Sequence, residues 1–298
     1  MSTPIVKNTY NVGGLLVHIY SKPNLLSVSG ASKEIAALFL LHGRTGSADD
    51  PYIGGTAQSA FDWAEQHPGQ QRDFIVIAFD HRNHGHRLVD ALGNKGWKKD
   101  QKSEDHNERH AQVSSGTARD VSFLIDFLPS YLFPRDERTI VEWVVAGISL
   151  GGHSTWIALK NDPRVKIGIP VIGCPDYLAL LASRAEHAGV TLAPPYVPAS
   201  LLSIIRREDP AAVSIRASEA SANPFLGKKI LVLSGAADKL VPWVASKEFV
   251  EALHVGEGGR KQVVLEESAG HEYTDRMKAE LVKFFWEEAL VTDPKPAL

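Results

Sequence analysis

Apolar residues along this chain fall into two rhythms. Short continuous runs occupy positions 15–20, 35–41, 74–79, 141–148, 165–172, 230–233 and 263–265, and they are rich in Val, Ile, Leu and Phe. Such runs are too short for typical helices, and their continuity predicts strands covered on both faces. Between them the spacing turns helical. Positions 113–128 carry Val121, Leu124, Ile125 and Leu128 on one face and predict a helix that stops at Pro129. Helices are also predicted over 152–159, 243–253 and 274–290, the last with Thr274 as N-cap and Asp275 in its first turn. Strands alternating with helices predict βαβ units and a mostly parallel sheet flanked by helices, an α/β fold.

Two stretches break the rhythm. Positions 83–115 are polar, long for a connection, and hold His84, His86, His106 and His110. Long connections inside a compact domain are often functional. Positions 173–225 lie between two predicted strands, with helical patches at 176–187 and 199–208 around Ala193-Pro194-Pro195-Tyr196. They predict a small helical lid inserted after a strand, so that 1–298 reads as one domain with a lid at 173–225.

Composition narrows the classes. The 298 residues are 44% apolar and 22% charged, which excludes a disordered or fibrous chain. Lysine plus arginine number 32 against 35 acids, for a net charge of −3. Nucleic acid and anionic membranes therefore find no electrostatic support. No apolar run approaches the length of a spanning helix. A single cysteine excludes an internal disulfide framework. With no apolar leader and no Asn-x-Ser/Thr sequon, the expectation is a cytoplasmic protein.

The sharpest chemical signal is Gly147-Ile148-Ser149-Leu150-Gly151, between a predicted strand and a predicted helix. That context is what a nucleophile elbow requires: glycines permit the tight turn, and the turn lifts the serine hydroxyl clear of the sheet. A serine hydroxyl is a poor nucleophile at neutral pH and needs a base, itself oriented by an acid. In sites of this kind the chain order is serine, acid, histidine. The run 230–233 leads into Asp238, and 263–265 leads into Ser268-Ala269-Gly270-His271. Asp238 and His271 thus fall on loops at strand carboxyl ends, where open α/β sheets assemble their sites. The expected oxyanion donors are the backbone N–H groups of Leu150, at the helix N-terminus, and of Arg44, after the turn His42-Gly43. For the His42 imidazole a structural role is expected.

Together, His42-Gly43, Asp80-His81-Arg82-Asn83-His84-Gly85, the elbow at Ser149, Asp238-x-x-Val241-Pro242 and Gly270-His271 resemble the α/β-hydrolase superfamily over about residues 10–290. The segment 80–85 is similar to the family turn Asp-x-Arg-Gly-His-Gly but has Asn83 where glycine is usual. Gly173-Cys174-Pro175-Asp176 and Asn223-Pro224-Phe225 resemble small intracellular esterases of the prolyl-oligopeptidase-like branch. The resemblance implies hydrolysis of a small or medium carboxylic ester through an acyl-enzyme intermediate, without cofactor. Thioester or amide hydrolysis, acyl transfer and a lyase step are alternatives on the same residues. Haloalkane and epoxide hydrolysis place aspartate at the elbow, and Ser149 speaks against them. A non-catalytic binding protein would need a broken triad.

Other signals carry less. His81, His84 and His86 beside Asp80 do not match a metal-ligand spacing, so no metal is expected. His106 and His110 read as a solvated face. His153 and Cys174 read as buried packing residues. Tyr177, Leu181, Tyr196, Leu202 and Trp243 are candidates for lining an acyl pocket, with core packing as the competing reading.

Overall fold

The computed structural model describes residues 2–26, 34–97 and 108–291. His106 and positions 98–107 of the polar stretch lie outside the described residues. Among the described residues there are eight strands: β1 (Val6–Val12), β2 (Leu15–Ser21), β3 (Glu34–Leu41), β4 (Asp73–Phe79), β5 (Thr139–Ile148), β6 (Val165–Val171), β7 (Lys229–Gly235) and β8 (Arg260–Glu266). They form one sheet in the order β1-β2-β4-β3-β5-β6-β7-β8. β2 runs antiparallel to both of its neighbours, and the other pairings are parallel.

Seven strands coincide with the apolar runs. β1 is the exception, because Lys7, Asn8, Thr9 and Asn11 hide an edge strand whose residues are mostly exposed. It joins β2 through Gly13 and Gly14, both at positive φ, which makes a tight hairpin.

The strand alternation divides the core into two layers. In β3, Ile35, Ala37, Phe39 and Leu41 face one side, with Val121 and Leu124 of α2 (Glu108–Leu132), Trp156 of α3 (Leu150–Asn161) and Phe249 of α6 (Trp243–Ala252). Ala36, Leu38 and Leu40 face the other side, with Phe61 of α1 (Pro51–Gln66) and Leu281 and Phe285 of α7 (Asp275–Phe285). Burial on both faces explains why β3 to β7 read as continuous apolar runs.

One helix was not expected, and two expected helices differ in detail. α1 carries no apolar stripe strong enough to predict it, since its buried face is largely alanine and threonine. α2 does not stop at Pro129 but runs on to Leu132. Leu132 and the following Phe133 are buried in the first core layer, and that burial carries the helix past the proline. The helix expected over 274–290 is α7 followed by a π-helical turn, Trp286–Leu290. Thr274 does cap it, accepting the N–H of Met277 at 3.1 Å.

Between β6 and β7 lie α4 (Tyr177–Ala188), α5 (Ala199–Glu208) and a short 3-10 turn at Pro210–Ala212. Tyr177, Leu180, Leu181, Val197, Leu201 and Ile205 bury one another with Cys174 and Val241. This third apolar cluster ties the insertion to the loop that follows β7. No helix among the described residues is long and apolar enough to cross a membrane.

Candidate active site

β5 ends at Ile148 and α3 begins at Leu150, so Ser149 alone makes the turn. Its backbone sits at φ 55° and ψ −107°, a conformation that costs an L-residue about 1–3 kcal/mol and persists only where the surroundings impose it. The imposition is visible. The N–H of Ser149 donates to the carbonyl of Val171 at 2.9 Å, and its carbonyl accepts from His153 at 3.0 Å. A Cβ at Gly147 would lie 2.3 Å from the carbonyl oxygen of Gly151. One at Gly151 would lie 2.4 Å from that of Leu41. Both glycines are therefore steric requirements of the turn.

The hydroxyl so raised meets His271. Oγ of Ser149 lies 2.8 Å from Nε2 of His271, and Nδ1 of His271 lies 2.7 Å from Oδ2 of Asp238. The carboxylate can only accept, so Nδ1 carries the proton and Nε2 is left to accept from the serine. Oδ1 of Asp238 accepts the N–H groups of Leu240 and Val241 at 2.8 and 2.9 Å. Burial alone would raise the Asp238 pKa, yet His271 and the two N–H groups outweigh it and hold it below the usual carboxylate value. Gly235 lets the loop carrying His271 approach: a Cβ there would lie 2.4 Å from the carbonyl of Ala269.

The loop after β3 comes to the same place. A Cβ at Gly43 would lie 3.9 Å from that of Ser149, so this loop runs beside the serine. It is held by a cluster of histidines whose rings meet edge-on or tilted. Nε2 of His42 accepts the N–H of His81 at 3.0 Å, so its Nδ1 donates to the carbonyl of Gly43 at 2.7 Å. His81 lies 2.7 Å from the carbonyl of His42 on one side and 2.7 Å from the hydroxyl of Thr117 on the other. Burial lowers the pKa of both, of His42 to about 4, so they stay neutral. His42 is thus a structural element, and His81, His84 and Asp80 brace the loop.

Asp80 accepts the N–H of Ala48 at 2.8 Å and that of His86 at 2.7 Å, which joins the turn after β4 to the loop after β3. Within that turn Asn83 takes φ +60°, where the family pattern has glycine. Its amide donates to the carbonyl of Asp90 at 2.7 Å, and its oxygen accepts from Val89 and Asp90. Asparagine tolerates this region through such local bonds.

Ser149 opens into a cavity of about 700 Å³, whose walls include Arg44, Tyr52, Ile172, Leu240, His271 and Tyr273. A smaller recess behind it holds Arg44, Leu150, His153, Arg184 and Leu240. Leu150 is the first residue of α3, so its N–H has no acceptor within the helix. The structure thus brings Ser149, Asp238, His271, Arg44 and Leu150 together. Tyr177, Tyr196 and Trp243 are not among the residues lining either cavity. Tyr177 borders a separate small void with Cys174 and Asp209. Tyr196 packs edge-on against Trp97, and Trp243 packs on the first core layer.

His153 and Cys174 pair with each other. Nδ1 of His153 accepts the N–H of Cys174 at 2.9 Å, burial lowers the histidine to about 3, and burial pushes the thiol up to about 12. Neither group is charged near neutral pH. Sequence reasoning missed Tyr52, Arg184 and Tyr273. Tyr52 and Arg184 lie inside helices, where nothing local marks a residue that faces a cavity. The dipeptide Asp50-Pro51 was a usable signal for the start of α1, since proline favours a first helical position.

Known proteins share the fold. YitV of Bacillus subtilis (strain 168), named as a candidate esterase, is 24% identical over 147 residues. That match takes in 47% of this chain and only 55% of YitV. The crystal structure of TT1662 from Thermus thermophilus superposes with a TM-score of 0.64 at 23% identity, over 96% of this chain and 99% of that one. Acetyl xylan esterase 1 from Thermoanaerobacterium sp. JW/SL YS485 superposes at 0.59 with 14% identity, over 95% and 87%. The sequence profile of the alpha/beta hydrolase family matches residues 38–284, from within β3 to within α7. The chain is a member of the alpha/beta hydrolase family.

Proposed function

We propose that this hydrolase is a serine carboxylesterase that cleaves a small or medium carboxylic ester through an acyl-enzyme. The single observation that supports the reading most is the unbroken line of hydrogen bonds from Ser149 through His271 to Asp238. The esterase designation of YitV points the same way.

On this reading Oγ of Ser149 attacks the ester carbonyl while Nε2 of His271 takes its proton. Asp238 holds the imidazole in the required tautomer and stabilises the imidazolium. The N–H groups of Leu150 and Arg44 hold the oxyanion, and losing one such donor costs about 2.7–4 kcal/mol in the barrier. His271 returns the proton to the leaving alcohol. Water then attacks the acyl-enzyme with His271 again as base, which releases the acid and restores Ser149. No metal or cofactor takes part in these steps. Residues 1–298 act as one domain, with 173–225 as its lid, in the cytoplasm.

The test is hydrolysis of p-nitrophenyl esters from acetate to octanoate by the wild type and by Ser149→Ala. Turnover by the wild type and a loss of about 10⁴–10⁶-fold in the variant are expected. Undiminished turnover in Ser149→Ala refutes the assignment of the nucleophile. Wild type that is inert to every ester, yet labelled at Ser149 by a phosphonate, moves the activity to another acyl substrate.

A further inference from the structure

β8 ends the sheet, and its outer side meets no partner strand among the described residues. The N–H of Arg260 donates to the carbonyl of Lys228, and the carbonyl of Glu266 accepts from Ala236. The even-numbered residues of β8 therefore turn their peptide groups towards β7, and those of Lys261, Val263 and Leu265 face outwards. Val263, in the middle of the strand, is 40% exposed. An open edge of this kind is a template for another strand, and proteins commonly blunt it with proline, a bulge or an outward lysine. β8 contains no proline, and it pairs with β7 without a shift in register. Its two cations are folded back onto their own subunit. The Lys261 ammonium donates to the carbonyls of Val250, Glu251 and Leu253 at 2.6, 3.2 and 2.9 Å, at the end of α6. The Arg260 guanidinium donates to Glu287, Glu288 and Gln262.

The charges along this edge are ordered. The strand begins with Arg260-Lys261 and ends at Glu266-Glu267. A second copy laid antiparallel about Val263 sets Arg260 opposite Glu266 and Lys261 opposite Leu265, and symmetry repeats both pairs. Parallel pairing in register would set Arg260 on Arg260 and Glu266 on Glu266, and like charges directly opposite each other are destabilising. The antiparallel match also satisfies the outward peptide groups. Val263 faces its own copy and Lys261 faces Leu265, each pair exchanging both of its hydrogen bonds. The contact uses the same patch on both copies, so it closes at two. Pairing of β8 with β1 of the next molecule would be head-to-tail and need not close.

We propose that two copies of this chain form a dimer by joining their β8 edges antiparallel about Val263, so that two eight-stranded sheets become one continuous sheet. The proposal goes beyond the esterase reading and does not depend on it. Strands run in opposite directions across the joint. The carboxyl ends that carry Ser149, Asp238 and His271 therefore point to opposite ends of the dimer, and each copy keeps a complete site.

Analytical ultracentrifugation of the full chain from about 1 to about 100 µM measures the assembly. At the upper end of that range the wild type is expected to sediment with twice the mass of one chain. Val263→Glu sets two carboxylates opposite each other on the symmetry axis, and it is expected to sediment as a monomer with an unchanged circular dichroism spectrum. A wild type that stays monomeric throughout, one that forms species larger than a dimer, or a dimer that Val263→Glu leaves intact overturns the proposal. If Val263→Glu does not fold, Val263→Cys carries the test. The two copies of position 263 would stand about 5.5 Å apart at Cα, within reach of a disulfide. With copper phenanthroline as oxidant, Val263→Cys is expected to cross-link into a dimer at least about tenfold faster than Val89→Cys, because the joined edges hold the two thiols at high effective concentration. Position 89 is 93% exposed and lies after β4, and the native Cys174 is buried. Equal rates for the two variants overturn the proposal.

Discussion

The hydroxyl of Tyr52 accepts the backbone N–H of Gly43 at 2.9 Å. One residue further on, the chain reaches Arg44, whose own N–H is the proposed second oxyanion donor. Burial pushes the Tyr52 phenol up to about 12, so it remains protonated through the neutral range. The bond joins the first turn of α1 to the loop after β3 and fixes which way the following peptide points. Tyr52→Phe keeps the ring and leaves the Gly43 N–H without its acceptor. An unmade buried bond of this kind costs about 1–3 kcal/mol. We expect kcat to fall about tenfold with little change in KM and an intact circular dichroism spectrum. Loss confined to KM would show that Tyr52 contacts substrate instead of positioning the loop.

Asp238→Asn is predicted to lower kcat by about 10⁴-fold without unfolding the protein. The reason lies in the direction of its bonds. Oδ1 is held by the N–H groups of Leu240 and Val241, so the amide oxygen of asparagine takes that place. Its NH₂ group then faces Nδ1 of His271, which must accept. The proton moves to Nε2, and the imidazole can no longer take one from Ser149. Steady-state kinetics with a melting curve tests this, and a loss of less than about tenfold would contradict the assigned tautomer.

Gly151→Ala is predicted to destabilise the fold by about 3 kcal/mol or more, because backbone cannot move aside as a side chain can. The added methyl would lie 2.4 Å from the Leu41 carbonyl, at the junction of β3, β5 and α3. Denaturant unfolding measures it. By contrast, Gly55→Ala, where nothing lies within 4 Å, is expected to be tolerated.

Asp209 provides a pH dependence unconnected with the active site. Burial, and then the Asp176 carboxylate, raise it to about 7 from an ordinary value of 3.8. A raised pKa means that the folded state holds the proton more tightly than the unfolded state. The stability it confers is complete below about pH 3.8 and is lost as pH rises through about 7. Asp209→Asn has no such proton to lose. The melting temperature of wild type minus that of the variant is therefore expected to fall from pH 4 to pH 7.5. A difference that stays flat across that window would refute the raised pKa.

Much of the fold is written locally in the chain. Strands buried on both faces leave continuous apolar runs, so β3 to β7 were legible, and the edge strand β8 was marked only by the short run 263–265. β1 was not, because an edge strand needs little apolar content. α1 was not, because alanines and a threonine fill most of its buried face and leave only Ile53 and Phe61 as large apolar residues. The turn at Ser149 was legible because Gly147 and Gly151 answer a steric demand within five residues. Asp238 and His271 were legible as positions after strands, since topology places strand ends on one edge of the sheet.

What the chain determined alone was the order of strands and helices, the elbow, and the residue types that serve each loop. The tertiary structure decided which side chains share a wall. Tyr177, Tyr196 and Trp243 looked suited to a pocket, and none of them lines the two cavities at Ser149. Arg184 carried no signal, being one charged residue in a helix. It became part of the site only because α4 folds back across the loop after β7. Periodicity records which face of an element is buried, but not what lies opposite that face. That depends on contacts between residues far apart in the chain.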